Sequence, residues 1–590
     1  MRDRPPSHSA TGRLRSLRDK SASLHSLHPT LALAAIAAAL SAWVYWSLLV
    51  HLRSATPADP DSALFVWSMA HAPRQLLQGN NPFFSHAIFA VSGGANLAYN
   101  ATAPLLGLVM YPFTAWLGPV AGFNLLVAMT PVANTLAAQR LLRVLTGRSG
   151  VSASLGALVI GFSPMVMMHN GARMQLVFQA VALLLLAELF ALGRAALAGA
   201  PLSRRRAVAA GALAGLQMWI GSEQLAIVMI VVAVALLVAV TLVRFTQSLS
   251  ASSALRWHRR DVASLGLGFA AMLLVAAPFL AEFLFGSQRY TDGYHVAARP
   301  LFGLRVANVV TPTEATLFRT HIPLAIDRVQ MSVFRDEDTG YLGLLALGCV
   351  LVTLATWRRR NTLQRAAVLV GLGCFVLALG PTIRWSGTGS GLPGPWRLLE
   401  QLPVLREIVA NRMSLGLFLM LGVLVATVGQ SAMVPEPAGQ HGTERSLRAL
   451  CWCAPLLLIP AQFHHTKAVA ASAAELLKQH CSNTLVVTTP QPLEQEGMAW
   501  QARTDFAFDL SRGFAFRAST LPKGDRLLID DIAERGSGDD AAITAAAAQL
   551  SSLGIGCVVT PSNSLDVADN LAPVLGPPLI AGDVAVWVLR

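Results

Sequence analysis

Two carboxylates separated by one proline, Asp59-Pro60-Asp61, stand just after the first long apolar run of the chain. A carboxylate placed there can accept the proton of an attacking hydroxyl, bind a metal ion, or cap a following helix. Phe65, Met69 and Ala72 recur at helical spacing and predict an amphipathic helix over 61–77. The two residues are therefore either catalytic acids or helix-start residues, and spacing leaves both open. Further polar candidates lie at His169 and Arg173, at Glu223 in Gly221-Ser-Glu-Gln224, and at His295 after Arg289, Tyr290 and Asp292. Each also reads as ordinary polar surface. Arg384, Arg397, Arg406 and Arg412 crowd one loop. A guanidinium matches phosphate geometry bidentately, while Glu400 and Glu407 offer the same arginines ordinary ion pairs.

These residues must be positioned by a membrane protein. Of 590 residues, 54% are hydrophobic and only 13% charged, with a mean hydropathy of +0.52. Apolar runs recur at lengths that cross a hydrocarbon core of about 30 Å. Backbone groups in lipid must pair within their segment, so the runs are helices. The first, Thr30–Val50, follows a long basic tail and lacks a small-residue cleavage site, which argues against a cleavable signal. Further spans are expected near 120–142, 151–168, 174–193, 207–221, 225–243, 262–284, 341–357, 366–381, 413–430 and 449–463. Residues 103–117, with Pro104 and Pro112, predict a short or re-entrant helix on the outer side. The fold class is thus an α-helical polytopic membrane protein with about 11–12 hydrophobic helices and a small α/β domain at its carboxy terminus.

The formal net charge of +13 does not imply nucleic acid, because no basic face with interleaved aromatics appears. Arginine clusters sit flush with apolar runs at 140–148, 204–206, 256–260, 358–360 and 445–448, the positive-inside pattern. They predict a disordered cytoplasmic tail over 1–28, a membrane module over 29–463 with large outer loops 53–100, 286–339 and 382–411, and an extracytoplasmic domain over 464–590. Membrane lipids are the expected partners. In the tail, Leu485–Thr489, Cys557–Thr560 and Val584–Leu589 read as strands and 541–552 as a helix. Cys481 and Cys557 are the only cysteines expected outside, each near a strand, so a disulfide between them is possible.

The order of several short motifs resembles bacterial membrane glycosyltransferases of the GT-C superfamily, in a poorly characterised branch. The stretches are Asp61-Ser-Ala-Leu-Phe-Val-Trp67, Gly79-Asn-Asn-Pro-Phe83, Gly93-Gly-Ala-Asn-Leu97, Gly161-Phe-Ser-Pro164, Tyr341-Leu-Gly343, Leu379-Gly-Pro381, Pro393-Gly-Pro-Trp396 and Asn411-Arg412. The resemblance implies transfer of a sugar from a polyprenyl-phosphate donor to a glycan, lipid or protein acceptor at the outer face of the bacterial plasma membrane. It implies an acid of the first outer loop as base, hence Asp61, helped by Asp59. Substrate contacts are then expected from Arg412, Arg397, His169, Arg173, Glu223 and His295. Arg173 stands where related sequences often carry a second histidine. A divalent metal therefore stays open, with no ligand set assigned. A transporter or flippase of lipid-linked sugars, built around Glu188, and a non-catalytic assembly protein are the alternatives.

Overall fold

The computed structural model describes residues 29–59, 61–147, 150–246, 259–289, 302–321, 337, 339–387, 391–402, 405–428, 441–489, 492–515, 527–535, 539–562, 569, 571–572 and 575–589. Six helical segments among them are long and apolar enough to cross a membrane: Pro119–Thr146, Val151–His169, Met174–Leu197, Ser222–Leu242, Arg259–Phe285 and Ala410–Val428. Four shorter apolar helices accompany them: Pro29–Val44, Pro104–Leu117, Gly343–Ala355 and Thr362–Ala378. The chain is a multi-pass membrane protein, with fewer full-length spans among the described residues than hydropathy alone suggests. The run expected at 449–463 is helical only to Cys453 and continues as a 3-10 turn, Ala454–Leu458. Pro455, in the first turn of that 3-10 segment, has no N–H to extend the ladder. The segment expected at 207–221 is the 15-residue helix Arg204–Met218. Pro104–Leu117 has 14 residues, about 21 Å at 1.5 Å per residue, and falls short of the hydrocarbon core.

Packing between helices uses small residues where backbones meet. A Cβ at Gly211 would lie 1.8 Å from the Gly268 carbonyl oxygen, and one at Gly268 would lie 2.6 Å from that of Ala207. Arg204–Met218 and Arg259–Phe285 therefore cross in backbone contact, the small-residue packing that apolar solvent requires. The outward side of Arg259–Phe285 presents Phe269, Leu274 and Phe285, as a lipid-facing helix must. At one end of the bundle Arg143 bonds Thr30. Glu188 takes Arg206 at 2.7 Å and Arg140 at 3.4 Å there. The arginine-rich turns near 143 and 206 thus share the face on which the first helix begins. Glu188 serves as their counter-ion.

The tail forms a five-stranded sheet in the order Leu579–Ala581, Val584–Val588, Ile555–Pro561, Leu485–Thr488, Asp509–Leu510. The last three strands are parallel and the first two antiparallel. Leu579–Ala581 and Val584–Val588 are joined by Gly582, whose φ of +59° suits the tight turn. The helix Asp540–Ser552 starts on Asp539, whose carboxylate accepts the Ala542 amide at 2.7 Å. Cys481 and Cys557 form a disulfide with Cα atoms 6.1 Å apart.

This sheet does not stand alone. Ala55–Pro57 pairs antiparallel with Thr466–Ala468, and Trp67 Nε1 donates to Gln501 Oε1 at 2.7 Å. One buried cluster runs from Tyr45, Phe65 and Trp67 through Leu477 and Val486 to Trp500.

Candidate functional site

The helix Asp61–Leu77 begins as the sequence predicts. The Asp61 amide donates to Asp59 Oδ1 at 2.9 Å and the Ser62 amide to the Asp59 carbonyl at 3.1 Å. Asp59 thereby occupies a helix-start role. Ser62 Oγ donates to the Gly171 carbonyl at 2.7 Å. Gly171 has φ +108°, and a Cβ there would meet Pro57 Cγ at 2.7 Å. Only glycine fits this approach. The first-loop acid is thus fixed against the segment that carries His169 and Arg173.

Arg173 Nε lies 3.9 Å from Asp61 Oδ2, and its Nη1 lies 3.6 Å from Glu337 Oε1. Glu337 was not singled out by the sequence. Its side chain is 2% exposed and it anchors the site. His169 Nε2 stands 3.2 Å from Glu337 Oε2, while Nδ1 faces the Met165 carbonyl at 3.1 Å. Asn411 Nδ2 donates to the Glu337 carboxylate at 2.6 Å and to its carbonyl at 2.8 Å. Arg412 Nη2 is 3.7 Å from Glu337 Oε1, and Nη1 contacts Glu223 Oε1. The Val409 amide reaches the same Glu223 oxygen at 3.3 Å.

Burial pushes the Glu337 carboxyl up. His169, Arg412 and Arg173 outweigh that and hold it well below the usual carboxylate range. The result is a fixed anion that holds two guanidiniums beside Asp61. Several polar atoms here are buried with no hydrogen-bond partner among the described residues. They are Arg412 Nε, Asn411 Oδ1, Gln175 Oε1 and both amide atoms of Gln224. Unpartnered buried polar atoms are costly unless something meets them.

The structure therefore joins Asp61, His169, Arg173, Glu223 and Arg412 into one network through Glu337. Arg397 is elsewhere, donating from Nε to the Pro381 carbonyl at 3.1 Å. His295 lies outside the described residues. No group of three or more His, Cys, Asp or Glu side chains converges among the described residues, and Asp61, Glu223 and Glu337 each face a guanidinium.

No curated protein matches the chain. Among solved structures it is similar to the mycobacterial arabinofuranosyltransferase AftD, at 16% identity and a TM-score of 0.48 over 95% of this chain and 40% of that one. It is also similar to the oligosaccharyltransferase of Archaeoglobus fulgidus in its apo form, at 13% and 0.49 over 92% of this chain and 72% of that one. A third is ArnT from Cupriavidus metallidurans bound to undecaprenyl phosphate, at 13% and 0.44 over 95% and 98%. The chain thus spans less than half of the arabinofuranosyltransferase's length. A family profile matches residues 78–438, which takes in His169, Arg173, Glu223, Glu337 and Arg412 but not Asp61. By that match the chain belongs to the family described as a domain of unknown function, DUF6311.

Proposed function

We propose that this protein is a membrane glycosyltransferase that moves a sugar from a polyprenyl-phosphate donor to a hydroxyl acceptor at the outer membrane face. The observation that supports it most directly is the convergence of Arg173 and Arg412 on Glu337, beside Asp61. The motif resemblance adds to it. In this reading the acceptor hydroxyl gives its proton to the Asp61 carboxylate. Its oxygen forms a bond to the anomeric carbon as the bond from that carbon to the phosphate oxygen breaks. The electron pair leaves with polyprenyl phosphate, whose charge Arg412 and Arg173 stabilise. One displacement inverts the anomeric centre.

Three features support these roles. Asp61 is partly exposed, with 28% of its side chain accessible, so an acceptor can reach it. Arg412 keeps a buried Nε–H to give. The short segment Ala410–Ser414 leads directly into the helix Leu415–Val428, which is buried throughout, so Arg412 is held at the end of a rigid core helix. The Cys481–Cys557 disulfide favours an oxidising, extracytoplasmic compartment for the tail, and through the Ala55–Pro57 pairing for Asp61 as well.

The test is transfer from a synthetic polyprenyl-phosphate sugar by purified protein in lipid nanodiscs. Asp61→Asn should insert and fold normally while transfer falls about 10²–10⁴-fold, the usual contribution of a general base. Normal transfer by that variant would sink the proposal.

A further inference from the structure

A cleft of about 400 Å³ lies away from the charged network, between the end of the Asp61–Leu77 helix and the tail. Arg74, on its wall, is thirteen residues past Asp61 on that helix, about 20 Å along it at 1.5 Å per residue. The chemistry of the cleft is unlike that of the network. Side-chain amides of Gln75, Gln78, Asn80 and Asn81 line it; Asn81 is engaged by Glu282 at 2.6 Å and the Phe83 amide at 2.9 Å, so the other three are the amides that meet a ligand. The Phe84 and Phe506 rings also face it, both half-buried.

The charges of the cleft nearly cancel. Arg74 is paired with Asp505 at 2.5 Å and lies 5.1 Å from the centre of the Phe506 ring. Asp509 adds a carboxylate and His86 an imidazole. A side-chain amide offers both a donor and an acceptor, as does a sugar hydroxyl. An anion would meet the Asp509 carboxylate, with the one guanidinium already paired. Concave sites with a few convergent polar groups and apolar faces are the usual seats of small ligands. Half-buried rings suit the apolar face of a pyranose.

We propose that this cleft binds a neutral saccharide unit, and that it holds a glycan acceptor by a unit remote from the one that reacts. The acceptor role rests on the transferase reading, and the binding of a saccharide does not. Both partners of the cleft are parts of one body, since Trp67 and Gln501 bond across the same junction. The seat is therefore preformed.

The experiment uses the full chain in nanodiscs and saturation-transfer NMR with two neutral probes, maltotriose and mannotriose, with inorganic pyrophosphate as competitor. At least one trisaccharide should receive saturation from the wild type and equally from Asp61→Asn. Gln78 and Asn80 are exposed, so the double variant Gln78→Ala/Asn80→Ala should keep the native melting temperature. Its trisaccharide affinity should fall about tenfold, as expected for one or two lost hydrogen bonds. Pyrophosphate should not compete. Absence of binding by both trisaccharides, unchanged binding by the double variant, or competition by pyrophosphate would each overturn the assignment. Loss of binding in the double variant with normal transfer by Asp61→Asn would instead leave the cleft standing and remove the transferase reading.

Discussion

The Arg173 guanidinium stands 3.9 Å from the Asp61 carboxylate and joins two loops far apart in sequence. Arg173 also reaches Glu337 at 3.6 Å, so it positions Asp61 against a buried anion. Arg173→Ala should lower transfer with little change in the amount of folded protein. Arg173→Lys should recover only part of it, because an ammonium cannot reproduce the fork that spans two carboxylates. Turnover and KM measured on both variants check this.

Asp59 and Asp61 should separate by assay. Asp59→Ala removes the acceptor for the Asp61 amide and should cost about 1 kcal/mol of stability, the usual value of a helix-start bond. Its transfer should stay within several-fold of wild type. A loss in Asp59→Ala as deep as in Asp61→Asn would assign the base to Asp59.

Glu337→Gln should destabilise, by about 3 kcal/mol, because it removes the buried anion that Arg173, Arg412 and His169 share and leaves the arginines only Asp61 and Glu223. The pH dependence has a definite sign. The folded-state value lies below the ordinary 4.5, so the contribution is fully present above about pH 4.5 and is lost as pH falls through the folded value. The melting-temperature gap between wild type and Glu337→Gln should narrow as pH falls below about 4.5, and a gap that stays constant there would refute the ionised assignment.

Cysteine labelling gives a fourth check. Unreduced, unfolded protein should expose four thiols, Cys349, Cys374, Cys451 and Cys453, and reduced protein six. Removing the Cys481–Cys557 bridge should cost about 2–5 kcal/mol, as for native disulfides generally.

Much of the architecture follows from periodicity. The helix 61–77, the Ala-rich helix near 541–552 and the three tail strands appear where the pattern places them. Hydropathy misjudged the region after 449, because a window average does not distinguish helix from the 3-10 segment Ala454–Leu458. In the site, Asp61, His169, Arg173, Glu223 and Arg412 were legible as polar residues at the ends of apolar runs. Glu337 was not. It sits in Arg335-Asp-Glu-Asp338, which reads as a solvated acidic loop. Burial of Glu337 is decided by contacts with Asn411 and His169, residues 74 and 168 positions away. Nothing local marks it. Arg397, from the same loop as Arg412, spends its Nε on the Pro381 carbonyl, a contact that its loop position does not foretell.

The pairing of Ala55–Pro57 with Thr466–Ala468 sets an order of assembly. The first of these strands emerges early in synthesis and its partner more than four hundred residues later. Long-range pairings of this kind form late and slowly. The loop that presents Asp61 must therefore wait, half-built, while the helices between are inserted. A chain released before residue 466 lacks the strand partner of Ala55–Pro57, so the setting of Asp61 is completed only once most of the polypeptide has been made.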